Sequence, residues 1–460
     1  MQYHIHTYGC HMNYSDTERI ESYLNKLGFT KTQTENQADL IIFNSCSVRK
    51  KAEDRVFGKI KNLRKTKRDR PDLLLALTGC MVRKSSTKNA ERQDQDKHLK
   101  IIEELDIAFR IEDLPKLKSL ITEASPKTNL PKIPQETLKD YFHIDPARAS
   151  ITQACIPIST GCDKFCTYCI VPYSRGREQS RNIDEILKEA EELVEQGCLE
   201  ITLLGQTVDS YGLSPIDRKR KLFDYNRIDN EQEPPPFVQL LKRIDKLKAK
   251  GLKRIRFTSP HPKDVSIQLI QAYGELETLM PHIHLPIQSG DNDCLQRMNR
   301  PYTRERYLEI VGGLRKARPN IAITTDLIVG FCDESEEEFA RTVDIYKEAD
   351  FDFCYISRYS NRKGTFADKN LEDNVPNTQK AKRWHDLNNL MKEITQKKLE
   401  KYIGKTLEVL VEEKIGSTYR GKCKHFKTVQ FESTEKTLIG TLQKIRITKA
   451  ENWILLGELV

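Results

Sequence analysis

Short unbroken apolar runs alternate with amphipathic stretches through most of the chain. Leu40-Ile41-Ile42-Phe43 and Leu73 to Leu77 carry no polar residue, the pattern of strands covered on both faces in a parallel sheet. Tyr3 to Tyr8 reads as a further strand. Between these runs the spacing predicts a helix from about Asp16 to Leu27, opened by Ser15 and Glu18 as a capping box and closed by Gly28. A second helix is predicted from about Lys50 to Thr66, with Ala52, Val56, Ile60 and Leu63 on one face. Residues 1–120 are therefore expected to form a small parallel α/β domain of Rossmann-like character.

Lys84 to Lys97 is polar and reads as a surface loop. Ser125 to Ser150, with Pro126, Pro131, Pro134 and Pro146, reads as a linker. A second domain, residues 148–392, repeats a strand-helix unit. Its strands are expected near Cys155–Ser159, Glu200–Leu204, Arg254–Thr258, Ile283–Ile287, Ala322–Val329 and Phe351–Ile356. Asn182 with Glu185, Ser335 with Glu338, and Thr303 mark helix starts between them. Six units are too few for a complete eightfold barrel. Ser214 to Pro236 reads as a charged surface insertion. Residues 398–460 switch to short strands, Thr406–Glu412, Thr428–Phe431, Lys436–Ile439 and Gln443–Thr448, punctuated by Gly404, Gly416, Gly421 and Gly440, as in a small β-barrel.

With 31% charged residues and a formal net charge of +9, the composition is that of a soluble, mildly basic protein, which suits a polyanionic partner. No apolar run approaches the length needed to cross a bilayer, and Met1 to His6 lacks a signal-peptide layout. Twelve cysteines without a secretory signal point to a reducing, cytoplasmic setting and to metal or catalytic use. Base is dense after Cys46 (Arg49, Lys50, Lys51, Arg55, Lys59, Lys61, Arg64, Lys65, Lys67, Arg68 and Arg70), which fits either a solvated helix face or a contact with nucleic-acid phosphates. In the terminal barrel Lys422, Lys424, Lys427, Lys444, Arg446 and Lys449 bracket Tyr419, His425 and Phe426, an interleaving that suits RNA backbone and base stacking, although a capping or dimerisation barrel has the same outline.

The cysteines change the picture most. Cys162, Cys166 and Cys169 fall within eight residues at Cys-x3-Cys-x2-Cys spacing, a density that suits a soft metal centre better than a disulfide. A structural zinc would want a fourth nearby ligand, and none follows closely. Cys10, Cys46 and Cys80 each lie just past the carboxyl end of a predicted strand, the edge where open α/β sheets bind ligands. Three cysteines far apart in sequence can therefore converge. Cys155, Cys198, Cys294, Cys332, Cys354 and Cys423 are scattered singly and read as ordinary thiols.

The run Gly161 to Cys169, with Tyr168 before the last cysteine, resembles the signature of radical S-adenosylmethionine (SAM) enzymes. Thr7-Tyr8-Gly9-Cys10-His11-Met12-Asn13, Asn44-Ser45-Cys46-Ser47-Val48-Arg49-Lys50-Lys51-Ala52 and Thr78-Gly79-Cys80 resemble the three cysteine motifs of the methylthiotransferases within that superfamily. The resemblance implies an open six-unit partial barrel, a terminal TRAM domain of OB-like form, and two [4Fe-4S] clusters. One cluster, on Cys162, Cys166 and Cys169, would bind and cleave SAM; the other, on Cys10, Cys46 and Cys80, would handle the transferred sulfur. It also implies Tyr168, Gln206, Ser259, Gln288 and Asp326 around SAM and substrate. Cys332-Asp333 stands where the family has Pro-Gly, which puts the turn before Glu334 in question.

Ser47-Val48-Arg49 with Lys51-Ala52 resembles the branch that modifies isopentenyl(dimethylallyl)adenosine at position 37 of tRNA. The threonylcarbamoyladenosine branch, and a non-catalytic iron–sulfur or zinc RNA-binding protein, are the alternatives. The partners implied are the tRNA anticodon stem-loop, an electron donor and a sulfur source, with the chain a monomer and no membrane involved.

Overall fold

The computed structural model describes the chain except residues 48–49, 128–129, 131–139, 220–232 and 452. Residues 220–232 of the predicted insertion and 128–129 and 131–139 of the predicted linker lie outside the described residues. The described chain divides into two compact units. One comprises residues 1–149 with 160–163 and 169–179; the other comprises 150–159, 164–168 and 180–460.

The first unit is built on a six-stranded sheet. Its strands are β1 (Gln2–Tyr8), β2 (Thr30–Lys31), β3 (Leu40–Ser45), β4 (Leu74–Gly79), β5 (Ser86–Thr87) and β6 (Ile107–Ala108), in the order β2-β1-β3-β4-β6-β5. Every pairing is parallel except β5 with β6. All six residues of β3 and of β4 are buried, as the unbroken apolar runs require. One core, around Ile20, Leu24, Ile42 and Phe109, lies on one face of the sheet. A second, around Phe43, Val56, Ile60 and Leu77, lies on the other.

Four features of this unit differ from expectation. Helix α1 spans His11–Lys26 and starts at Cys10, because the Asn13 side chain accepts a hydrogen bond from the Cys10 amide at 3.2 Å. Ser15 is instead buried inside the helix and accepts from Arg19, and Glu18 accepts from the Ala149 amide. The helix does end as predicted, with Gly28 at φ +78 just beyond Leu27. The second helix breaks at Leu63 into α2 (Lys50–Asn62) and α3 (Arg64–Asp69). Ser86 and Thr87, expected in a surface loop, are the buried edge strand β5. Tyr141 and Ile144, in the expected linker, pack into the first core.

The second unit carries β7 (Gln153–Pro157), β8 (Glu200–Leu204), β9 (Arg254–Phe257), β10 (His282–His284), β11 (Ala322–Val329) and β12 (Phe353–Arg358), all pairing in parallel. They form two three-stranded sheets, and an Ile255–Leu279 bridge connects the Arg254–Phe257 strand to the segment just before β10. Six strands with intervening helices make the expected partial barrel around one continuous apolar core. Asn182, Thr303 and Ser335 cap their helices, the last with Glu338 as a capping box.

The same unit ends in a closed five-stranded barrel, β13 (Thr406–Ile415), β14 (Thr418–Cys423), β15 (Thr428–Glu432), β16 (Leu442–Glu451) and β17 (Ile454–Leu459), in the order β13-β14-β15-β17-β16. The predicted strand Lys436–Ile439 is a loop, and β14 and β17 were not anticipated. Gly421 lies inside β14, where a Cβ would fall 2.0 Å from the Leu410 carbonyl oxygen.

The aromatics of this barrel do structural work. Tyr419 is buried in its core. Phe426 lies 3.6 Å under the Arg256 guanidinium and stacks on His282, and Lys427 pairs with Asp352 at 2.6 Å. Arg254, fully buried, donates to the carbonyls of Lys422 and Glu408 at 2.9 Å each. These contacts seat the small barrel on the amino ends of β9 and β10 and on Asp352 just before β12. Of the basic and aromatic set read from sequence, Lys444, Arg446 and Lys449 stay exposed along β16.

Candidate functional site

Cys10, Cys46 and Cys80 leave β1, β3 and β4 at their carboxyl ends, and parallel pairing brings those ends side by side. The Cys46 amide donates to the Tyr8 carbonyl at 2.8 Å and the Cys80 amide to the Ser45 carbonyl at 2.9 Å, so each turn is tied to the neighbouring strand. Asn13 and Asn44 interlock across the gap: Asn13 Nδ2 donates to Asn44 Oδ1 at 3.0 Å, and Asn44 Nδ2 donates to the Asn13 carbonyl at 2.7 Å. The space is close. A Cβ on Gly9 would lie 2.9 Å from the Cys46 Cβ, and one on Gly79, at φ +86, would lie 2.4 Å from the Ser45 carbonyl oxygen.

The three thiols meet, with Cys46 in hydrogen-bonding contact with both others. That contact, helped by Arg175, pulls Cys10 and Cys80 down to about 6 despite burial, while Cys46 is pushed up and keeps its proton. Two thiolates and a shared proton among three sulfurs form a donor set ready for a soft metal centre.

Arg175 is the residue that sequence reading missed. It is buried in the first unit, where Nε donates to Cys80 Sγ at 3.2 Å and Nη2 donates to Asp16 Oδ2 at 2.5 Å. Tyr141 donates to the other Asp16 oxygen at 2.6 Å. Glu112 sits close by, its carboxyl pushed up to about 7 by burial. The motif Ser174-Arg175-Gly176-Arg177-Glu178 stands directly behind the cysteine loop. Nothing local in it distinguishes buried Arg175 from Arg177, whose side chain is 59% exposed beside Asp163.

In the Cys162–Cys169 loop, Gly161 takes φ +76, and a Cβ there would lie 2.1 Å from the Arg177 carbonyl oxygen, so no larger residue fits. Phe165 also takes a positive φ, +49. Cys162 and Cys169 group with the first unit and Cys166 with the second. Within the second unit Arg300, buried, faces Cys166 Sγ at 3.5 Å and donates to the Pro286 carbonyl at 2.7 Å. Tyr168 packs edge-on against Phe331.

Gln206, Ser259 and Gln288 follow the carboxyl ends of β8, β9 and β10, and Asp326 lies within β11. Ser259 and Gln288 both hold positive φ, +60 and +77, conformations that non-glycine residues adopt where the surroundings impose them. Gln206 Oε1 is buried with no hydrogen-bond partner, an acceptor left without a donor. Asp326 faces His284 at 3.4 Å. Behind these ends lies a charged cluster with no sequence signature: Lys164 pairs with Asp264, and Asp209 accepts from the His261 amide through both oxygens, at 2.9 and 2.8 Å. Burial and the neighbouring Asp264 push the Asp209 carboxyl well up.

In the turn before Glu334, Asp333 takes φ +60 and its side chain accepts from Asn374 Nδ2 at 2.5 Å. Cys332 is fully buried in a small apolar cluster with Met298 and Phe331. Cys198, Cys294, Cys354 and Cys423 are buried as well, and Cys155 half-buried. The basic run after Cys46 divides between two roles. Lys59, Arg64, Lys67 and Arg70 pair with Glu35, Glu104, Asp106 and Asp39, whereas Lys50, Lys51, Arg55, Lys61, Lys65 and Arg68 are exposed. Val48 and Arg49 lie outside the described residues. Among those described, no helix is long and apolar enough to cross a membrane.

Comparison with known proteins agrees with this layout. Residues 156–345 match the radical SAM superfamily, residues 2–100 the uncharacterized protein family UPF0004, and residues 400–460 the TRAM domain. A tRNA-2-methylthio-N(6)-dimethylallyladenosine synthase of Geobacillus kaustophilus is 39% identical over 468 residues, covering 100% of this chain and 82% of that protein. One from Thermoanaerobacter sp. is 38% identical, covering 100% and 93%. Among solved structures, the radical SAM methyltransferase TsrM of Kitasatospora setae aligns over 77% of this chain and 72% of its own at 14% identity, with a TM-score of 0.49. With its three matched regions in order and its full length shared with these synthases, the chain belongs to the tRNA-2-methylthio-N(6)-dimethylallyladenosine synthase family of radical SAM enzymes.

Proposed function

We propose that the protein adds a methylthio group to N6-isopentenyl(dimethylallyl)adenosine at position 37 of tRNA. Membership of the radical SAM superfamily brings a [4Fe-4S] cluster and SAM, and we assign that cluster to Cys162, Cys166 and Cys169. A second [4Fe-4S] cluster is assigned to Cys10, Cys46 and Cys80. The observation that carries this assignment is the meeting of those three thiols at one sheet edge, two of them poised as thiolates. When bound, clusters and SAM supply the radical chemistry that an unactivated C–H bond demands and that no side-chain acid or base can provide.

The chain's own residues hold and tune these groups. Three sulfurs at each site leave one cluster position open to a small ligand. Arg175 donates to Cys80 and Arg300 to Cys166, each placing a fixed cation beside a sulfur. Tyr168, Gln206, Ser259, Gln288 and Asp326 are assigned to SAM and substrate, with Gln206 Oε1 left for a donor they bring. The domains proposed are residues 1–120 for the second cluster, 148–392 for the radical SAM core and 398–460 for RNA, acting in a monomer supplied by a separate reductant and sulfur source.

Two measurements test this. Anaerobic iron analysis should find about eight irons in the parent and about four in the Cys162/Cys166/Cys169→Ala triple variant. Four in the parent and none in the variant would remove the second cluster. Nucleoside mass spectrometry of tRNA carrying isopentenyladenosine, after incubation with SAM, sulfide and dithionite, should then show a 2-methylthio product. A product found only on threonylcarbamoyladenosine would move the chain to the other branch.

A further inference from the structure

β1 carries His4 and His6 two residues apart, hence on the same face of the strand. A ring nitrogen of each and a carboxylate oxygen of Glu35, in the segment between β2 and β3, lie within 4.8 Å of one another. All three residues are half-buried, so the cluster is ordered yet open to water. Each ring is held from behind. His4 Nδ1 lies 2.9 Å from the Thr32 carbonyl oxygen, to which a neutral ring donates, leaving its other nitrogen as a lone-pair donor. His6 is sandwiched flat between Tyr8 and Phe43, at 6.0 and 5.4 Å between ring centres. Its Nε2 faces Glu35 Oε1 at 3.1 Å.

We propose that His4, His6 and Glu35 bind one divalent ion of the Zn2+ class, with water completing the coordination. Two imidazoles and a carboxylate are a complete three-ligand set for zinc, and a backbone carbonyl behind a ligating histidine is the support such sites use. Among the described residues Glu35 is the one carboxylate beside the two rings, and it already holds a cation. The Lys59 ammonium lies 2.5 Å from the same Glu35 oxygen and must swing away when the ion enters. An ion bound there ties β1, which leads to Cys10, to the segment that leads into β3 and Cys46. The three ligands include no cysteine, so the site is distinct from the proposed clusters.

The test is equilibrium dialysis of the anaerobically purified full-length protein against micromolar Zn2+, with zinc and iron measured in the same samples. The parent should retain one zinc that His4→Gln/His6→Gln lacks, at equal iron content. Glu35→Gln, a change in a solvent-exposed segment, should weaken retention at least tenfold. Lys59→Met should tighten it at least tenfold by removing the competing ammonium, a gain that no folding defect can mimic. Zinc retained equally by the parent and the double histidine variant, zinc taken up only as iron is lost, or no effect of Lys59→Met would overturn the proposal.

Discussion

Arg175→Met is the sharpest probe of the first unit. The side chain is buried and its charge is answered by Asp16 at 2.5 Å, with Tyr141 on the second Asp16 oxygen. Methionine fills much of the volume but leaves the Asp16 carboxylate in the interior with a single phenolic donor. Removing one partner of a buried ion pair costs about 3–5 kcal/mol, which at about 2–4 °C per kcal/mol for a domain of this size lowers its melting temperature by roughly 6–20 °C. Adding Asp16→Asn removes the stranded charge while keeping an acceptor for Tyr141, so the double variant should return to within about 2 kcal/mol of the parent. Arg177→Met, which breaks an exposed pair with Asp163, should cost under about 1 kcal/mol. Hydrogen exchange in peptides from β1, β3 and β4, read against peptides from the second unit, isolates the effect in the apoprotein. A single variant as stable as Arg177→Met, or a double variant no better than the single, would refute the reasoning.

Four further outcomes follow from other contacts in the structure. Cys10 and Cys80 sit at about 6, below the ordinary thiol value of 9.0, so their contribution to apoprotein stability is full above pH 9 and is lost as pH falls toward 6. Urea unfolding between pH 6 and 9 should show stability rising with pH, and Arg175→Met should shift alkylation of Cys80 to higher pH. His425 is held down at about 4 by burial, so it remains neutral in the fold while the unfolded chain protonates below 6.5. The terminal barrel should therefore loosen as pH falls from 6.5 to 4, seen as proteolytic release, and His425→Gln should flatten that dependence. Phe426→Ala removes the ring held between Arg256 and His282 and should cost about 3–5 kcal/mol, again read as release of the barrel. Arg300→Met withdraws a buried cation from Cys166, and an EPR redox titration of the loaded protein should find a lower cluster potential.

Local physics accounts for what the sequence determined by itself. Short unbroken apolar runs between turn signals read as buried strands, so β3 and β4 are where the pattern places them. Asn182, Thr303 and Ser335 cap helices because an Asn, Thr or Ser side chain can satisfy an amide two or three residues on without help from elsewhere. The two cysteine sets were visible as spacing and as strand-then-cysteine repeats.

What tertiary structure decided are choices between equivalent local options. Helix α1 starts at Cys10 and not Ser15 because Asn13 is locked to Asn44, thirty-one residues away. Arg175 is buried and Arg177 exposed because Asp16, 159 positions earlier, offers a buried carboxylate to only one of them. Phe426 and Lys427, with the look of an RNA-stacking pair, are consumed by Arg256, His282 and Asp352. A charge or a ring finds its partner across the fold, and such partners have no period along the chain from which they could be read.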